Sequence, residues 1–162
     1  MKNSDFLSKL KIDKKLELVE PSEEIAISYE KKSIECREVA KLVFENGYFE
    51  SAITQNYFSM YNNVLSLFFK CGIKCENHSA AVLIIKEIFN QKELFSLFSK
   101  AKTERIDKQY YVTPLQDNPA TKDSAKEMIS LAMSFNPKLI AFKNSLKLED
   151  IRKIRDSLGS LV

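Results

Sequence analysis

The stretch "SAITQNYFSMYNNVLSLFFK" at residues 51–70 is the most informative for the fold, because it has no charged side chain before Lys70 in a protein that is 29% charged. On a helical wheel its large apolar residues share one face. The opposite face is polar but uncharged and carries Gln55, Asn56, Ser59, Asn62, Asn63 and Ser66. Solvent-facing helix surfaces normally carry Lys, Glu or Arg. The pattern therefore predicts a helix whose polar face is also covered.

Two kinds of surface are able to cover that polar face. Other helices of the same chain would make it an internal contact. A second copy of the chain would make it an interface, since interface cores are depleted in charged residues. We expect a homodimer with this interface, whose residues are Gln55, Ser59, Asn62, Asn63 and Ser66.

Helix start and stop signals recur on both sides of this stretch. "PSEE" at 21–24 predicts a helix start, because proline and acidic residues favour the first turn. Gly47 predicts the end of that helix. "NHS" at 77–79 begins another helix, a fourth covers about 91–112, and a fifth begins near Thr121. "NP" at 136–137 predicts a break and restart, and no alternating pattern of useful length predicts a strand.

These signals predict an all-α protein, an up-and-down antiparallel helical bundle with an extra C-terminal amphipathic helix. Residues 1–20 form an N-terminal extension, 21–142 form the bundle, and 143–162 form the C-terminal helix. In the last of these, Ile151, Ile154 and Leu158 stand at helical spacing.

Composition narrows the function classes. The net charge of +3 is too small to indicate nucleic-acid binding by itself. Three cysteines and no apolar leader after Met1 predict reduced thiols and a cytoplasmic protein, and no stretch predicts a membrane span. Cys71, Cys75 and His78 have the spacing C-x3-C-x2-H, but a second ligand pair is missing. We therefore expect neither a metal site nor a cofactor.

The segment "GYFESAITQNYFSMYNNVLSLFFKCGIKCENHSA" at 47–80 resembles the signature of HEPN-domain proteins. "ERIDKQYY" at 104–111 is similar to the Arg-x-x-Ala-Asp-Tyr element of that family, and "AKEMISLAMSF" at 125–135 resembles its closing helix. The resemblance covers about 25–142. Its matching positions in the first segment are Ala52, Tyr57, Phe58, Met60, Tyr61 and His78-Ser79.

The resemblance implies a small helical bundle that dimerises through its two central helices. It also implies a minimal nucleotidyltransferase as partner, as in toxin–antitoxin pairs, and RNA or a nucleotide as ligand. Many members resemble metal-independent ribonucleases with an arginine followed four to six residues later by a histidine. Arginine stabilises the phosphorane charge, and histidine moves a proton near neutral pH.

Arg105 matches that arginine, but Tyr110, Tyr111 and Val112 stand where the histidine is expected. Tyrosine titrates near pH 10, so it is a poor proton shuttle at pH 7. We therefore expect a HEPN-like dimer that is non-catalytic or conditionally active. Its functional surface is predicted to comprise Arg105, Asp107, Tyr110, Tyr111 and His78, with Arg105 and Tyr110 as the catalytic candidates.

Two alternatives stay open. The first is a metal-independent endoribonuclease that uses Arg105 with a noncanonical base. The second is a structural or interaction module of helices with no link to RNA or nucleotides.

Overall fold

The computed structural model describes residues 3–109 and 119–160. Within these ranges the chain forms seven helices and one pair of short strands. Their order is α1 (Asn3–Ile12), β1 (Leu16–Leu18), α2 (Glu23–Glu45), α3 (Phe49–Lys70), β2 (Ile73–Cys75), α4 (His78–Glu87), α5 (Lys92–Gln109), α6 (Lys122–Ser145) and α7 (Leu148–Gly159). The all-α prediction is confirmed. No helix in the described ranges is both long and apolar enough to cross a membrane.

Helix α3 is the centre of the bundle, because α2, α5 and α6 all pack against it. More than half of its residues are buried, and they include Tyr57, Met60 and Phe68 at the middle of the core. Helix α2 begins after Ser22, whose hydroxyl accepts a hydrogen bond from the amide of Ile25 at 3.2 Å. The lack of charge on α3 predicted that its polar face is covered as well. Helices of the same chain provide that cover.

The two strands are a feature that the sequence did not predict. β1 and β2 pair antiparallel, with Leu16 opposite Cys75 and Leu18 opposite Ile73. Glu17 and Lys74 stand opposite each other and form an ion pair at 3.3 Å. Three residues are too few for an alternating pattern to show, so periodicity could not indicate these strands.

The predicted helix break at Asn136-Pro137 is wrong, because α6 continues through Pro137. Proline removes the hydrogen bond to the carbonyl four residues earlier, which belongs to Met133. Met133 is 70% exposed, so water is close enough to replace the lost donor. The helix starts predicted at 77–79 and near Thr121 are confirmed, and the side chains of Asn77 and Thr121 each accept a hydrogen bond from a backbone amide of their helix.

The first and last helices, α1 and α7, pack on the rest of the described structure. Lys11 of α1 donates hydrogen bonds to the carbonyls of Leu158 and Gly159 at the end of α7. Arg155 of α7 donates to the carbonyls of Val19, Cys71 and Gly72 at 2.7–3.1 Å. Gly72 has φ +69, and a Cβ there would collide with the Arg155 guanidinium and the Val19 carbonyl.

Candidate functional site

The polar face of α3 is buried against α2 and α6 of the same chain. The Asn136 side chain donates to the Ser59 hydroxyl at 2.7 Å and accepts from the Asn63 amide at 2.9 Å. The Ser33 hydroxyl donates to the Ser59 carbonyl at 2.7 Å. These buried polar groups are therefore hydrogen-bonded to one another, which is the condition for burying them.

A charged side chain continues this network toward the end of α6. Lys143 is 3% exposed, and its ammonium donates to the Ser66 hydroxyl at 3.0 Å and to the Glu30 carboxylate. Burial lowers the pKa of Lys143, with the Glu23 carboxylate opposing that shift. The ion pair to Glu30 keeps the buried charge compensated.

Three of the five residues expected at a dimer interface are thus internal. Ser59, Asn63 and Ser66 are at most 4% exposed and bond to α2 or α6, so a second copy does not reach them. Asn62 is half-buried and its amide lies 3.5 Å from the Cys36 sulfur, while Gln55 is also half-buried. The intramolecular alternative explains this face, and the homodimer itself stays a prediction.

The other side of α3 brings the chain's one histidine onto a buried tyrosine. The Tyr57 hydroxyl lies 2.7 Å from Nδ1 of His78, the first residue of α4. The Tyr61 ring stacks on the imidazole with 3.9 Å between ring centroids and 12° between planes. A fully buried tyrosine needs a partner for its hydroxyl, and His78 provides it.

Arg105 of α5 joins the same group. Its guanidinium carbon lies 5.1 Å from the Tyr57 ring centroid and 5.0 Å from the Phe58 ring centroid, within the range of cation–π attraction. Leu94, Phe98 and Ala101 on the same face of α5 are buried, and they orient Arg105 toward α3. The structure therefore brings together Arg105 and His78, which are 27 positions apart in sequence.

The surroundings decide the protonation of His78. Burial, together with the positive charges of Arg105 and Lys102, lowers the pKa of His78 to about 4. Burial also raises the pKa of Tyr57 above its ordinary value, against the opposing charge of Arg105. At pH 7 Tyr57 therefore keeps its hydroxyl proton and His78 is neutral, and the direction of their hydrogen bond depends on the tautomer of the imidazole. With Nδ1 accepting, the imidazole proton resides on Nε2.

This arrangement is suited to holding an anion rather than to moving a proton. The Arg105 fork, the Lys102 ammonium nearby and the Nε2 proton of His78 are all donors. A general base works best with a pKa near the working pH. A histidine with a pKa of about 4 is a weak base at pH 7 and lacks the second, imidazolium proton that it would need to act as a general acid.

The remaining predicted site residues do not join this cluster within the described ranges. Asp107 is exposed on α5, two positions and therefore about half a turn away from Arg105. Tyr110 and Tyr111 lie outside the described residues.

Sequence reasoning missed Tyr57, Tyr61 and Lys102 as site residues. The two tyrosines were assigned to the core with their apolar neighbours. The tyrosine hydroxyls could have indicated a polar site, because a buried tyrosine oxygen requires a polar partner.

The cysteines are thiols at neutral pH. Burial raises the pKa of Cys71 to about 12 and that of Cys75 to about 11. The described residues contain no group of three or more histidine, cysteine or acidic side chains placed to hold a metal ion.

The chain was compared with known proteins. No protein-family model, no curated protein and no solved structure matches it.

Proposed function

We propose that the chain is a HEPN-like dimeric helical protein that binds RNA or a nucleotide through phosphate, does not cleave it, and acts with a nucleotidyltransferase-type partner. The observation that carries the proposal is the meeting of Arg105 and His78 on Tyr57. Arginine is well suited to phosphate, because its planar fork presents two parallel donors.

The rings beneath Arg105 support its role as a donor. A guanidinium resting on Tyr57 and Phe58 has fewer conformations to lose when it binds a ligand. Lys102 on the same helix adds positive charge, and it is close enough to shift the pKa of His78. The site thus combines a fixed donor with a local positive potential, which together favour phosphate.

The neutral histidine favours binding over cleavage. Cleavage of RNA without a metal needs a base to take the 2′-hydroxyl proton and an acid to protonate the leaving oxygen. His78 is committed to Tyr57 at Nδ1 and carries no second proton at pH 7. The nucleotidyltransferase partner rests on the resemblance at 47–80 and 104–111, and Tyr110 and Tyr111 are the hydroxyls offered for modification.

The test is a titration of fluorescent single-stranded RNA at low salt, run beside a cleavage gel without divalent metal. We expect binding by the unaltered protein that weakens as salt increases, because phosphate contacts release counterions. Arg105→Met should weaken binding about tenfold, and Arg152→Met on α7, an exposed arginine, serves as the matched control. Binding that Arg105→Met does not alter would contradict the proposal.

A second candidate, a conditionally active ribonuclease, is favoured by the same proximity of His78 and Arg105. A phosphate bound between them would raise the pKa of His78, since an anion favours the charged imidazole. His78 would then be the noncanonical base expected of that alternative. Metal-free cleavage that both Arg105→Met and His78→Gln abolish would establish this candidate instead. Absence of both binding and cleavage would leave the structural module.

A further inference from the structure

Helix α2 is the least covered long helix of the bundle. Within the described residues it packs extensively on α3 alone. Among all described residues, ten large apolar side chains are exposed. Half of these ten belong to α2: Ile25, Ile27, Ile34, Val39 and Leu42. An unpartnered apolar surface on one helix is typical of an interaction site.

One stripe of α2 combines exposed apolar residues with charged ones. Residues 23, 27, 30, 34, 37 and 41 alternate steps of four and three, so they lie along one face of the helix. The stripe contains the exposed Ile27 and Ile34, which are 42% and 47% exposed. It lies about a quarter turn away from the Ala26, Ser33 and Ala40 positions that are buried against α3.

This stripe borders a groove between α2 and α6, and the polar face of α3 forms the floor. Two adjoining depressions of about 370 and 330 Å³ make up the groove, and Arg37 lines both. Ile34 and Ile140 are walls of the first depression, while Phe44 and Met133 are walls of the second. The groove is therefore long and partly apolar, which suits an α-helix as its occupant.

Charges on the stripe are ordered along the helix. The N-terminal half carries Glu23 and Glu30, the second of which also pairs with Lys143 of α6, and the C-terminal half carries Arg37 and Lys41. We propose that this stripe, together with the groove beside it, is the interface between two copies of the chain whose α2 helices run antiparallel. Antiparallel packing sets the acidic half of each stripe against the basic half of the other.

This charge order is the reason to choose a second copy as the occupant. A two-fold contact uses the same patch on both subunits, so the patch must be complementary to itself. The stripe meets that requirement only in the antiparallel direction, because a parallel pair would place like charges together. Ile27 and Ile34 lie between the charged positions and become buried in the contact.

The inference rests on the homodimer of the proposed function and is independent of Arg105, which belongs to the other side of α3. The proposed dimer contact therefore lies on α2 and not at Ser59, Asn63 and Ser66, which are internal. Failure here would leave RNA binding by Arg105 untouched, since the two experiments alter different helices.

The test compares molar masses by light scattering across micromolar concentrations. Arg37→Glu with Lys41→Glu makes the whole stripe acidic, and we expect the dimer dissociation constant to rise about 100-fold. Lys31→Glu with Lys32→Glu is the matched control, because it makes the same charge change on other faces of α2. Circular dichroism checks that each variant keeps its helices.

The double variant Ile27→Ser and Ile34→Ser is a second test in case the charge reversal unfolds the chain. It should raise the dimer dissociation constant about tenfold. A dimer that both stripe variants weaken, but the control does not, supports the proposal. A monomeric unaltered protein overturns it. A dimer that survives both stripe variants also overturns it, because the contact then lies elsewhere.

Discussion

Helix α3 has two buried sides, and each receives one positively charged side chain from a neighbouring helix. On the α2 and α6 side, Lys143 meets Ser66 and the Glu30 carboxylate. On the α4 and α5 side, Arg105 rests on the rings of Tyr57 and Phe58. Lys143 is buried and paired with a carboxylate, whereas Arg105 is half-buried and lies beside a histidine.

The difference separates a structural network from a candidate site. Buried polar groups that satisfy one another stabilise one packing of the helices. A cation held on aromatic rings at the edge of the core is positioned for an anion from outside. Substitutions on one side of α3 should leave the properties of the other side unchanged.

The largest effect is expected on the polar side, at Asn136. Asn136→Ala removes the partner of both the Ser59 hydroxyl and the Asn63 amide, and leaves two buried groups unsatisfied. We expect the free energy of unfolding to fall by about 3 kcal/mol. Urea denaturation measures it, with exposed Asn144→Ala on the same helix as control. Equal losses in the two variants would show that the network adds no stability.

A smaller effect is expected from breaking the Lys143 ion pair. Glu30→Gln leaves a buried ammonium without its carboxylate and should lower the free energy of unfolding by about 2 kcal/mol, since Glu30 is itself partly exposed. Lys143→Met removes the buried charge and leaves Glu30 able to reach water. The free energy of unfolding should therefore fall by less than in Glu30→Gln. Urea denaturation of both variants checks the order, and a larger loss for Lys143→Met would contradict it.

The smallest stability effect is expected on the aromatic side, as a dependence on pH. The unfolded chain protonates His78 below its ordinary pKa of 6.5, whereas the folded chain does so only near 4. Stability should therefore rise with pH between about 4 and 6.5, by about 1.5 kcal/mol after allowance for solvent screening. Urea denaturation across that range measures the rise, and His78→Gln should reduce its slope. An unchanged slope would assign the pH dependence to carboxylates.

The parts of the fold that depend on neighbours in sequence were predictable. Ser22, Gly47, Asn77 and Thr121 lie at helix ends because caps act within one turn. The break at Pro137 was predicted wrongly because its cost depends on whether Met133 faces water, which only the tertiary structure determines.

The candidate site was predictable only in part, because it depends on contacts between distant positions. Arg105 stands at helical spacing from the apolar residues Leu94, Phe98 and Ala101. The sequence therefore shows that Arg105 shares the apolar face of α5. Its meeting with His78 depends on how β2 and α4 return the chain to Tyr57, which no local spacing reports. The partners of the polar face are Asn136 and Lys143, which are more than 70 positions from the residues they contact. The sequence could not predict these pairs either.

The most direct test of the account is an NMR pH titration of the imidazole of His78, the chain's one histidine. The structure predicts a midpoint near pH 4 in the unaltered protein. It also predicts a higher midpoint in Arg105→Met, because one of the positive charges that disfavour the imidazolium is gone. A midpoint near 6.5 that Arg105→Met leaves unchanged would contradict the account, since His78 and Arg105 would then not share one site.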